Sequence, residues 1–157
     1  MEIINSKLIG TGACIPDFVL TNAMLEKMVD TNDEWIVQRT GVRERRIAKN
    51  THTWELALGA AQDALADAGI TADELDLILV STCSPDTNTP NTASILQDKL
   101  GARQVGAFDI NNACTGFVSA TDIADSYIKS GKAKTVLVVS AETLSRIVDY
   151  TDRSTCI

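Results

Sequence analysis

Cys114 offers the most chemistry in this chain, because of the residues on either side of it. Gly106-Ala107-Phe108-Asp109-Ile110-Asn111-Asn112-Ala113 reads as an apolar, strand-like approach, and Gly116-Phe117-Val118-Ser119-Ala120 as a helix-like departure. A thiol at such a junction meets the positive end of the helix peptide dipoles, which favours thiolate over thiol. The thiolate is the nucleophile, so the geometry suits covalent acyl transfer. Most free cysteines are small buried hydrophobes, and this run alone leaves the two readings level.

A second grouping joins Trp35 to Arg39, Arg43, Arg45 and Arg46, a concentration of positive charge in an otherwise acidic chain. An indole face and a guanidinium plane can hold a flat ring between them. Arginine also binds phosphate with a planar fork of donors. Taken alone, Trp35 reads as a half-buried packing residue and the arginines as a solvated face. The one histidine, His52, stands beside Thr53 at a helix start and reads as a surface or capping residue rather than a base. Cys14, Cys83, Cys114 and Cys156 are too scattered for a zinc knuckle, so no metal is expected. A chain of this size also needs no disulfide staples, and all four are expected reduced in the cytoplasm.

The bulk numbers bound these readings. At 157 residues, 45% hydrophobic and 22% charged, the chain is long enough for one domain with a real core. Aromatics are only 4%, so Ala, Leu, Ile and Val must build that core. A net charge of -7 argues against a nucleic-acid surface. No apolar run reaches membrane-spanning length, and the first residues lack the basic start and apolar core of a secretory signal.

Strand and helix alternate in the elements that must position Cys114. Ile3 to Gly12 reads as an opening strand, and Thr21 or Asn22 can cap a short helix through Met28. Asp30 to Arg46 reads as loop and short helix. Thr53 can cap a helix whose apolar stripe is Leu56, Ala57, Ala60, Ala61, Ala64, Leu65 and Ala68, stopped by Gly69. Leu75 to Thr82 is a near-continuous apolar strand, as in a parallel sheet covered on both faces. Asn91 or Thr92 caps a helix ending at Gly101; Val105 to Asn111 is the strand leading to Cys114; Gly116 to Ser130 is a helix; Thr135 to Ser140 is another buried strand. This order predicts an α/β fold with a mainly parallel sheet between helix layers. The helix after Cys114 is apolar over most of its circumference, and Thr155-Cys156-Ile157 looks like the start of another strand. Both features predict that 1–157 is one domain forming the first part of a larger protein.

Three segments resemble the β-ketoacyl-acyl-carrier-protein synthase III family, the thiolase-like condensing enzymes that initiate type II fatty acid synthesis. They are Thr31-Asn32-Asp33-Glu34-Trp35-Ile36-Val37-Gln38-Arg39-Thr40-Gly41-Val42-Arg43-Glu44-Arg45-Arg46-Ile47-Ala48, then Asn111-Asn112-Ala113-Cys114-Thr115-Gly116-Phe117, then Asp149-Tyr150-Thr151-Asp152-Arg153-Ser154-Thr155. The resemblance implies that Cys114 takes an acyl group from acyl-coenzyme A. Malonyl-acyl carrier protein then loses carbon dioxide, and the carbanion attacks the thioester. It implies that Trp35 and Arg153 sandwich the adenine of coenzyme A, with Thr31 and Arg39 on the phosphate and ribose side. It places Thr89 near the acyl pocket, with Cys83 and Leu144 as neighbours, and leaves room for a longer or branched primer. It implies a homodimer, acyl-coenzyme A as substrate and no further cofactor. The family's catalytic His and Asn, and the late glycine of its oxyanion hole, come from a second half absent from 1–157. Relatives that build polyketide starters or other secondary metabolites share the three segments. A non-catalytic assembly module is the rival from another class, and an intact Cys114 disfavours it.

Overall fold

The computed structural model describes residues 5–103 and 105–156. Its elements are β1 (Val19–Thr21), α1 (Asn22–Leu25), α2 (Asp33–Thr40), β2 (Glu44–Arg46), α3 (Thr53–Ala68), β3 (Leu77–Ser81), α4 (Thr92–Leu100), β4 (Gly106–Ile110), α5 (Gly116–Lys129) and β5 (Val136–Ser140). Backbone contacts divide the chain into two compact units, 1–14 with 52–142 and 15–51 with 143–157. Strand–helix alternation gave no sign of that division.

The first unit is a three-stranded parallel sheet of order β4-β3-β5. Central β3 is buried along its whole length, as its apolar run requires. Its side chains alternate between two cores. Ile78 and Val80 pack with Ala57, Ala61 and Leu65 of α3 and Leu96 of α4, whereas Leu77 and Leu79 pack with Ala120 and Ala124 of α5. Each large aliphatic side chain so buried contributes roughly 1.5–3 kcal/mol. Small residues dominate the helix faces, which lets helices approach the sheet closely in a chain poor in aromatics.

Local chemistry sets the helix ends. Asn91 accepts from Ser94 N at 2.8 Å and caps α4, and Gly69 and Gly101 adopt left-handed conformations after α3 and α4. The cap of α3 is His52, not Thr53. Glu55 reaches back to the His52 N–H at 2.7 Å, while Thr53 is buried and its hydroxyl donates to Ser84 O at 2.8 Å. α1 stops at Leu25, short of Met28.

The expected opening strand is corrected. Residues 1–4 lie outside the described residues, and 5–12 form no strand. This segment lies on α3 instead. Asp67 and Asp63 accept from Thr11 N at 2.8 Å and Ala13 N at 3.0 Å. Carboxylates thereby take the N–H groups a strand would give to a neighbour. The approach needs glycine, because a Cβ on Gly12 would stand 2.3 Å from Ala60 O. A groove of about 660 Å³ runs between this segment, α3, α5 and β5. The outer face of α5 carries Phe117 and Val118, 52% and 69% exposed.

The second unit pairs β1 with β2 antiparallel, Leu20 opposite Arg45. Leu20, Leu25, Ile36 and Cys156 form its core, flanked by Trp35 and Tyr150. Thr155 and Cys156 lie in a turn rather than a strand, with Cys156 buried and Ile157 outside the described residues.

Candidate active site

Cys114 sits on a tight elbow. β4 ends at Ile110, a 3-10 turn spans Ala113–Thr115, and α5 starts at Gly116. Ala113 has φ 44°, a left-handed value that strains a residue with a Cβ. Three contacts hold the elbow. Asn112 Nδ2 donates to Ser119 Oγ at 2.7 Å, Thr115 Oγ1 donates to Asn112 O at 3.0 Å, and Thr82 N donates to Ile110 O at 3.1 Å. Gly116 is packed so closely on β3 that an added Cβ would stand 1.9 Å from Ser81 Oγ. Cys114 itself is exposed. The thiol therefore stands at the mouth of a rigid strand-to-helix turn, in the position read from the sequence and not in the apolar core.

Cys83 stands beside the elbow. The register pairs Ser81 with Ile110 on one side and Ser140 on the other, and Thr82 N to Ile110 O and Ala141 N to Ser81 O carry the pairing one residue further, so Cys83 leaves the sheet at the same end as Asn112 and Glu142. Glu142 accepts from Cys83 N at 2.8 Å and from the Ser84 hydroxyl, binding the loop after β3 to the end of β5. Desolvation, and then the Glu142 carboxylate, push the Cys83 thiol above its ordinary value. Thr89 is exposed on the same loop, before Pro90. Leu144 is 46% exposed and belongs to the other unit.

Glu142 had no signal in the sequence, since only strand register brings it opposite Cys83. Asp109 was also missed. From β4 it accepts from Thr92 N at 2.9 Å and Ala93 N at 2.7 Å, tying the strand before Cys114 to the start of α4.

Trp35, Arg39 and Arg153 come together in the second unit. The Arg39 and Arg153 guanidinium carbons each lie 4.8 Å from the Trp35 ring centroid. Arg39 reaches the ring from one turn along α2, and Arg153 from a distant loop. That loop is built by its own aspartates. Asp149 accepts from Thr151 Oγ1 at 2.7 Å and Asp152 from Ser154 N at 2.8 Å, and these bonds hold both carboxyls below their ordinary values. Arg153 donates to Asp30 O at 3.1 Å. The Thr31 hydroxyl is buried and has no hydrogen-bond partner among the described residues. Arg45 takes no part in this cluster. It bonds Asn22 Oδ1 at 2.8 Å, and burial lowers its pKa from the usual guanidinium value. His52 is half-exposed and bonded to Asp86 Oδ1 at 3.1 Å, in keeping with a capping role. Among the described residues no helix is long and apolar enough to cross a membrane, and no three potential ligands cluster to hold a metal.

A parallel sheet between helix layers, with a cysteine at the turn from strand to helix, is the arrangement of the thiolase-like condensing enzymes. A solved 3-oxoacyl-[acyl-carrier-protein] synthase III from Aquifex aeolicus VF5 superposes with a TM-score of 0.94 at 56% identity, over 96% of this chain and 49% of that one. The priming β-ketosynthase of the R1128 polyketide pathway also superposes at 0.94, with 36% identity over 98% of this chain and 46% of that one. Residues 108–157 match the family described as 3-oxoacyl-[acyl-carrier-protein (ACP)] synthase III. A β-ketoacyl-[acyl-carrier-protein] synthase III of Xanthomonas campestris pv. campestris strain 8004 is 56% identical over 98% of the chain and 48% of its own length. These synthase III proteins match nearly the whole of this chain. It spans about half the length of the curated relatives it matches.

Proposed function

We propose that this chain supplies the acyl-accepting nucleophile and the coenzyme A-binding residues of a β-ketoacyl-acyl-carrier-protein synthase III. The observation that carries the reading is the exposed Cys114 on a strained, tightly packed elbow. The Cys114 sulfur attacks the thioester carbonyl of acyl-coenzyme A, and the coenzyme A thiol leaves, so the acyl chain stays on the protein as a thioester. The backbone N–H of Cys114 is one donor to the developing oxyanion. Malonyl-acyl carrier protein then loses carbon dioxide, and its carbanion takes the acyl group to give a 3-oxoacyl product. That second step uses a His and an Asn from the other half of the enzyme, in a cytoplasmic homodimer.

Trp35 with Arg153 holds the adenine, while Arg39 and the unpartnered Thr31 hydroxyl take the phosphate and ribose side. A flat ring between an indole and a guanidinium needs about 7 Å, two van der Waals gaps of roughly 3.5 Å. Arg153 therefore withdraws from its resting place on Trp35 as coenzyme A enters. Cys83 and Thr89 line the acyl pocket.

The test is incubation with acetyl-coenzyme A, followed by mass spectrometry of the Cys114 peptide. An acetyl thioester on Cys114, lost in Cys114→Ser, is expected. Residues 1–157 expressed alone are expected to load acetyl but form no 3-oxoacyl product. Undiminished loading in the serine variant would end the reading. Likeness to a polyketide priming ketosynthase favours a second reading, in which the same chemistry starts a secondary metabolite. The carrier protein that the whole enzyme uses separates the two, and comparing acetyl, isobutyryl and octanoyl primers tests the room left beside Thr89, which strong preference for acetyl would rule out.

A further inference from the structure

We propose that Cys83 is a resolving thiol for Cys114, closing a disulfide with it when Cys114 is oxidised by a hydroperoxide. Cys83 follows β3 by two residues and Cys114 follows the neighbouring parallel β4 by four, so both leave the sheet at the same end. Thr82 N donates to Ile110 O at 3.1 Å, carrying the ladder one residue past β3 and leaving Cys83 as the next residue on that side. Adjacent strands lie about 4.8 Å apart, within the span a disulfide bridges between Cα atoms. On the other side the 3-10 turn curls the chain back, because Gly116 is pressed on Ser81. Cys114, two residues before Gly116, and Cys83, two residues after Ser81, therefore flank the same close contact. Both side chains are exposed. Desolvation and Glu142 raise the Cys83 thiol above its ordinary value, and Cys114 adds a smaller push in the same direction.

The steps balance. The Cys114 sulfur attacks one peroxide oxygen, the O–O bond breaks, and the thiol becomes a sulfenic acid with release of water or an alcohol. The Cys83 sulfur then attacks the Cys114 sulfur. The S–S bond forms, the S–O bond breaks, and the departing hydroxide takes the thiol proton and leaves as water. The other cysteines are poorly placed to compete. Cys156 is buried in the second unit, and Cys14 lies against Gly59 on α3. Closing the bond removes the acyl-accepting sulfur from use and shields it from irreversible oxidation. That consequence rests on the acyl-transfer reading; the cross-link does not.

The experiment treats the full-length protein with hydrogen peroxide and maps its peptides without reduction. A Cys83–Cys114 peptide that has lost two hydrogens, and separates with dithiothreitol, is expected. In Cys83→Ser the cross-link disappears, and Cys114 proceeds to a sulfinic acid that dithiothreitol does not reverse. Over-oxidised Cys114 beside an intact Cys83 thiol in the parent protein, or a cross-link to Cys14 instead, overturns the proposal. Peroxide cross-linking without acetyl loading would leave this inference standing and remove the acyltransferase reading, so the two fail separately.

Discussion

Cys114, Trp35 and Arg153 are set in surroundings that only the folded chain makes visible. The thiol is held out to solvent by a backbone that strains at Ala113 and closes on Gly116. The indole meets two guanidinium groups at 4.8 Å, a contact worth on the order of 1–2 kcal/mol when desolvated. Arg153→Ala removes the guanidinium plane proposed to cover the adenine, and is expected to weaken coenzyme A binding severalfold, read by calorimetric titration. Arg153→Lys should recover little, because an ammonium offers no plane to lie on a purine. Titrating the parent with coenzyme A should change Trp35 fluorescence as Arg153 withdraws, and the variant should start from the altered value. At this scale the sequence was informative about the residue types and silent about Glu142 and Asp30, whose partners lie far along the chain.

Elements succeed or fail here by how closely they approach. Gly116→Ala would press a methyl into Ser81 Oγ, and overpacking of this kind costs about 1–3 kcal/mol. It would also lift the start of α5 and move Cys114. A denaturant titration should show the loss, acyl loading should fall with it, and Ser81→Gly in the same chain should restore part of both. Ile78→Ala, in the fully buried centre of β3, is expected to cost about 2–5 kcal/mol in the same titration while leaving the elbow residues in place. Helix ends were readable because caps and left-handed glycines are local chemistry. The segment before residue 13 was not, since the carboxylates of Asp63 and Asp67 on α3 take its N–H groups.

For the whole molecule, the acid side of stability has a named contributor. Asp76 accepts from Lys134 N at 2.7 Å and Thr135 N at 3.0 Å, tying the start of β3 to the start of β5. The Thr135 N–H first, and then that of Lys134, hold the Asp76 carboxyl below its ordinary 3.8. A carboxyl depressed in the folded state contributes stability that is full above the unfolded value and is lost as pH falls through the folded one. Asp76→Asn should therefore melt below the parent at pH 7. The gap should close as pH drops below 3.8, the ordinary value, in thermal scans followed by circular dichroism.

The sequence by itself determined the alternation of strand and helix, the burial of β3 on both faces, most helix ends and the elbow that carries Cys114. Each is local, set by periodicity, capping side chains or the backbone freedom of glycine. Tertiary structure alone decided that 15–51 and 143–157 fold together as a unit, that Arg153 lies on Trp35, and that Glu142 holds the Cys83 N–H. Those juxtapositions join residues tens of positions apart, through strand register and chain closure that no short window of sequence contains.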